Sequence, residues 1–151
     1  MKCSTLVFGA ALALLAGGVS AQQPAGNAAA ADVWKYKTQR LTRAQIDRLL
    51  ADPAKVLVLD VRRPDEVVSK GSFPVYLSVQ AKDLESELAF VPRDRQIITL
   101  SNHAHRAGAA GDLLASKGFV VAGAAGSEDY EAQGGKIARI TPPPPAPTAS
   151  R

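Results

Sequence analysis

Short continuous apolar runs alternate along the chain with segments whose apolar residues recur every three or four positions, and the two patterns predict alternating strands and helices. Val33 to Tyr36 and Gln39 to Leu41 read as extended. Thr42 is placed to cap a short helix through Leu50 in which Ile46, Leu49 and Leu50 share a face, and Asp52 and Pro53 end it. Val56 to Leu59 has the pattern of a strand buried on both faces, stopping at Asp60, with a turn at Arg63 and Pro64. Val75 to Val79 predicts a second strand. Leu84, Leu88 and Ala81 then mark one face of a helix from Gln80 to Ala89, closed by Pro92. Ile97 to Leu100 predicts a third buried strand. A helix from Arg106 to Lys117 follows, with Ala110, Leu113 and Leu114 inward and Gly118 as its stop signal. Phe119 to Val121 reads as a strand and Ser127 to Gln133 as a last helix capped by Ser127. Strands joined through helices need crossovers, so the expected class is α/β, with a mainly parallel central sheet flanked by helices.

The two ends depart from this pattern. Lys2 precedes an apolar run from Leu6 to Ala16, followed by Gly17, Gly18, Val19, Ser20 and Ala21, which predicts a secretory signal over residues 1–21. The run is shorter than the roughly 20 residues that span a bilayer, so a soluble periplasmic or secreted product is expected, with no membrane attachment after cleavage. Residues 22–37 are expected to be a flexible leader, because Gln22 to Ala31 offers no large apolar side chain to bury. Residues 138–151 carry Pro142 to Pro145 and Pro147 and are expected to be an extended, solvated tail. One domain over residues 38–137 remains.

Composition fits a single domain: of 151 residues, 46% are hydrophobic and 21% charged. The net charge of +4 invites a nucleic-acid reading, but residues 38–137 contain 13 basic and 13 acidic side chains, so the excess lies in the flanks. No nucleic-acid partner is expected, and a monomer is. Cys3 is the sole cysteine and falls within the signal, which leaves the exported product without a thiol or a disulfide.

In open parallel sheets ligands gather where strands end and helices begin. Asp60, Arg62 and Arg63 follow one buried strand. Ser101, Asn102, His103, Ala104, His105 and Arg106 follow another and open an Ala-rich helix, so their backbone amides and the helix dipole are placed to cradle an anion.

Five stretches resemble the rhodanese-like domains: LDVRRPDE (Leu59 to Glu66), GSFP (Gly71 to Pro74), SNHAHR (Ser101 to Arg106), AGDLLASKGF ending at Phe119, and AGSEDYEAQGGKI ending at Ile137. The resemblance implies a three-layer fold in which the loop opens with a sulfur-carrying cysteine and closes with an arginine. Ser101 stands at that cysteine position, Arg106 at the arginine, and Asp60 and Arg62 at the Asp and Arg of the family's DVR motif. The sequence departs from the pattern at Val75 and Ala125, where glycines are usual, and at Tyr130, where tryptophan is common.

The serine decides the chemistry expected of the loop. A thiol can be lowered to a thiolate by a helix N-terminus and nearby cations, whereas a hydroxyl yields no comparable anion and no stable persulfide. The expectation is a domain without sulfurtransferase activity that binds an oxyanion (sulfate, thiosulfate or phosphate) or a protein partner through Ser101 to Arg106, supported by Asp60 and Arg62. No cofactor is expected. Two other readings remain open: residual sulfurtransferase or serine hydrolase chemistry at Ser101, and a metal module in which His103 and His105, two residues apart, hold zinc or copper with ligands from elsewhere. Asp60 also suits a carboxylate that accepts loop hydrogen bonds, Arg62 a surface pair, and Arg106 either an anion contact or a solvated helix residue.

Overall fold

The computed structural model describes residues 33–139 and 141. The expected signal, leader residues 22–32 and tail residues 140 and 142–151 lie outside the described residues. In chain order the elements are α1 (Arg43–Leu50), β1 (Val56–Asp60), α2 (Pro64–Lys70), β2 (Leu77–Ser78), a 3-10 turn at Leu88–Phe90, β3 (Gln96–Ser101), α3 (His105–Ser116), β4 (Val121–Gly126) and α4 (Ser127–Ala132). The sheet order is β2-β1-β3-β4, and every pair is parallel. All four strands therefore release their following loops at the same end.

Alternation along the central strands splits the core into two layers. Val56, Val58, Ile98 and Leu100 face Ile46 of α1, Phe73 and Tyr130 of α4. Leu59 and Ile97 face the opposite way, onto Ala110 and Leu114 of α3 and onto Leu84. Each fully buried Leu or Ile contributes roughly 1.5–3 kcal/mol, which makes β1 and β3 the anchor of both layers.

Five of the elements differ from the sequence-based reading. The expected turn at Arg63 and Pro64 begins α2 instead: Pro64 occupies the first helical position, and the Arg63 amide donates to Glu66 Oε2 at 3.1 Å. The expected strand over Val75 to Val79 is ordered as strand only at Leu77–Ser78, on the sheet edge. The expected helix over Gln80 to Ala89 is a series of turns ending in the 3-10 segment. There Ser86 Oγ donates to the Asp83 carbonyl and competes for the backbone, while Asp83 and Glu87 place like charges one helical turn apart. The last strand runs from Val121 to Gly126, not from Phe119, and α4 is preceded by Gly126 as its capping residue, with Ser127 inside it. Its small residues suit close packing: a Cβ at Gly123 would come within 2.6 Å of Leu41.

The segment before α1 lies against the domain. Trp34 and Tyr36 stack edge-on, with centroids 5.0 Å apart, over the start of α3, where a Cβ on Gly108 would stand 2.5 Å from the Tyr36 ring. The bare Gly108 lets these aromatics approach.

Candidate functional site: the loop between β3 and α3

β3 ends at Ser101 and α3 starts at His105, so Asn102, His103 and Ala104 form the bend where the sheet delivers its C-terminal end. Ser101 is fully buried. Its Oγ donates to the His103 carbonyl at 2.7 Å and accepts the Ala107 amide at 3.1 Å, so the hydroxyl spends its donor and an acceptor position on the loop's own backbone. A serine nucleophile needs a base in hydrogen-bond reach. Both of its partners are main-chain groups.

Asp60 and Arg62 form the hub beneath the loop. Both are fully buried, which corrects the expectation that Arg62 pairs at the surface. Arg62 Nε and one Nη2 hydrogen grip Asp60 bidentately at 2.9 and 2.7 Å, Nη1 donates to Asn102 Oδ1 and Ser127 Oγ, and Nη2 also donates to the Gly71 carbonyl. All five guanidinium hydrogens are thus used. The Asp60 carboxylate accepts in addition the Ser72 hydroxyl at 2.8 Å. One side chain ties the ends of β1 and α2 to the loop and to the start of α4.

Two further carboxylates, which the sequence reading did not single out, face the loop. Glu66 takes both Arg106 nitrogens, at 2.6 and 2.9 Å, and the Asn102 amide at 2.8 Å. The Arg106 hydrogen bonds hold its carboxyl far below the ordinary value, at about 2, against the opposing effect of burial. Asp129 accepts the Ala104 amide at 3.3 Å and Arg40 at 2.8 Å, and pairs with His103 Nδ1 at 3.0 Å. Burial pushes the Asp129 carboxyl up, but the contacts from His103, Arg40 and Ala104 outweigh it and leave it below the usual range. Glu66 carries a local signal, three residues after Arg63 in a helix-start pattern. Asp129 is 25 residues from Ala104 and carries none.

The two histidines part company. His103 turns toward Asp129 and Glu128, whereas His105 lies against Trp34 and Tyr36, with ring centroids 5.5 and 5.7 Å away. The geometry expected for a shared metal is not formed. Among the described residues no group of three or more His, Cys, Asp or Glu is arranged to hold a metal ion. Tyr130, at the position where tryptophan is common in the resembling family, packs against Phe73 and donates its hydroxyl to Asp47 at 2.6 Å. Among the described residues no helix is long and apolar enough to cross a membrane.

No family model and no curated protein matches the chain. Solved structures do. The chain is similar to a rhodanese-related protein from Thermoplasma volcanium, with 24% identity and a TM-score of 0.54 over 68% of this chain and 98% of the other. It is also similar to a thiosulfate sulfurtransferase from Pseudomonas aeruginosa, with 27% identity and a TM-score of 0.55 over 68% of this chain but 20% of the other, so it spans about a fifth of that enzyme's length. A protein of unknown function from Rhodopseudomonas palustris matches at 21% identity and a TM-score of 0.55, over 67% of this chain and 85% of the other. The α/β architecture with its parallel sheet is the rhodanese-like fold that the motifs imply.

Proposed function

We propose that this rhodanese-like domain is a non-catalytic binding module that works beyond the inner membrane once residues 1–21 are removed. The observation that carries the reading is the state of Ser101. Sulfur transfer from thiosulfate requires a nucleophile that accepts the outer sulfur, releases sulfite and passes the sulfur on to an acceptor such as cyanide. Ser101 offers a hydroxyl in place of a thiolate, fully buried and hydrogen-bonded within its own loop. Around it, Arg106 is chelated by Glu66 and the Ala104 amide by Asp129, which makes the loop a rigid, internally neutralised surface suited to a protein partner. An oxyanion ligand such as sulfate, thiosulfate or phosphate is the less supported reading, because Asp129 already occupies the Ala104 amide, Arg40 and His103, the groups it would need.

The test is thiosulfate-to-cyanide sulfur transfer by the exported product, whose mass should place Gln22 first, measured beside Ser101→Ala. Both proteins should run at the rate of buffer alone. Turnover in the parent that disappears in Ser101→Ala overturns the proposal.

A further inference from the structure

The end of the sheet away from the Ser101 loop carries a different feature. There the last residue of α1, the entrance to β1 and the segment leading from α2 to β2 enclose a cleft of about 190 Å3. Its walls include Leu50, Val56, Phe73, Pro74 and Val75, and Arg95, just before β3, is the charged residue among those lining it. Val56 and Phe73 are core residues, so the floor is fixed, while Val75 leaves 77% of its surface to solvent at the lip. An exposed large apolar residue beside an apolar hollow is surface that gains by being covered.

The cations nearby are otherwise committed. Lys55 pairs with Asp52 at 2.7 Å, and the Arg93 guanidinium lies 4.0 Å from the centre of the Phe119 ring. Among the described residues Arg95 has no carboxylate or other hydrogen-bonding partner. Apolar walls with one uncommitted guanidinium at the rim define the complement: a compact hydrocarbon or ring body bearing a single anionic group. A cation is repelled there, a sugar finds few partners for its hydroxyls, and a neutral hydrocarbon leaves the guanidinium unused. A planar carboxylate matches the arginine fork with two parallel hydrogen bonds.

We infer that this cleft binds a small apolar monocarboxylate, its body against Leu50, Val56 and Phe73 and its carboxylate on Arg95. A cleft of about 190 Å3 admits a short-chain acid and excludes a long acyl chain. The cleft lies at the other end of the sheet from the Ser101 loop, Val56 and Asp60 being the opposite ends of β1, while Gly71 and Ser72 of the Arg62–Asp60 hub directly precede its wall at Phe73.

The experiment is a calorimetric and NMR titration of the exported product with hexanoate and, as its neutral counterpart, hexanamide. Hexanoate should bind saturably, one per chain, in the millimolar range, and shift the resonances of Val56 and Val75. Hexanamide should bind about fivefold more weakly, the scale of an exposed ion pair. Arg95→Gln should abolish that difference while leaving the unliganded melting temperature unchanged, and Val75→Trp, which fills the lip from an exposed position, should remove binding of both. Binding that does not saturate in the millimolar range, equal affinity for acid and amide in the parent, or undiminished hexanoate binding by folded Arg95→Gln would each overturn the inference.

Discussion

At the scale of single residues, Arg62 and Ser101 show how a position that suggests chemistry can serve architecture. Arg62 is fully buried, and its charge is tolerable because Asp60 neutralises it and every N–H has an acceptor. Replacing it with methionine leaves the Asp60 carboxylate buried without its counter-charge. Arg62→Met is therefore expected to cost about 3–5 kcal/mol in urea denaturation, and the Asp60→Leu/Arg62→Met double variant much less than the sum of the two single losses. A double-variant loss equal to that sum would show that the two side chains are not coupled. The DVR stretch made this pair visible in the sequence. Its burial was not, because the acceptors Gly71, Asn102 and Ser127 come from three other segments that only the fold assembles. The hidden state of Ser101 was equally illegible, being set by the path of the loop over it.

At the scale of elements, α2 and α3 are joined by the Glu66–Arg106 pair, and that link carries a pH dependence. Glu66 titrates at about 2 in the folded domain against an ordinary value of 4.5. A depressed carboxyl pKa means that the stabilisation is complete above about pH 4.5 and is lost as pH falls through 4.5 toward 2. Arg106 is 41% exposed, so solvent screens the pair and the loss should be roughly 1–2 kcal/mol. Denaturation midpoints of parent and Glu66→Gln should converge across that acid window, and parallel curves would remove Glu66 as the cause. Elements whose pattern was set locally were legible: α1 with Thr42 before it, the doubly buried β1 and β3, and α3 up to Gly118 at φ 80°. Those set by tertiary packing were not. β4 is Val121 followed by Ala122, Gly123, Ala124, Ala125 and Gly126, five weak strand formers that nonetheless pair with β3, and at Gly123 a Cβ would collide with Leu41. The pattern at Leu84 and Leu88 has helical spacing, yet both residues reach the α3 layer from turns.

At the scale of the whole molecule, residues just before Thr38 pack on the domain. Trp34 and Tyr36 are partly buried against α3, Trp34 Nε1 donates to the Thr38 carbonyl, and Asp112 accepts the Thr38 amide and hydroxyl. A chain starting at Val33 should melt with the full-length product, and one starting at Thr38 should be less stable by roughly 2–3 kcal/mol, the worth of two partly buried, stacked aromatics. Equal melting of the two shortened chains would show that the aromatic strap contributes nothing. The parallel order of the strands has a broader result. The connection leaving β1 must run back to the entry end before β2 begins, so it serves both ends of the sheet: Gly71 and Ser72 hold the Arg62–Asp60 pair beneath Ser101, and the next residues, Phe73 to Val75, wall the oily hollow beside Arg95. A change in this one stretch is felt at both rims, as two implements forged on a single handle share its grain.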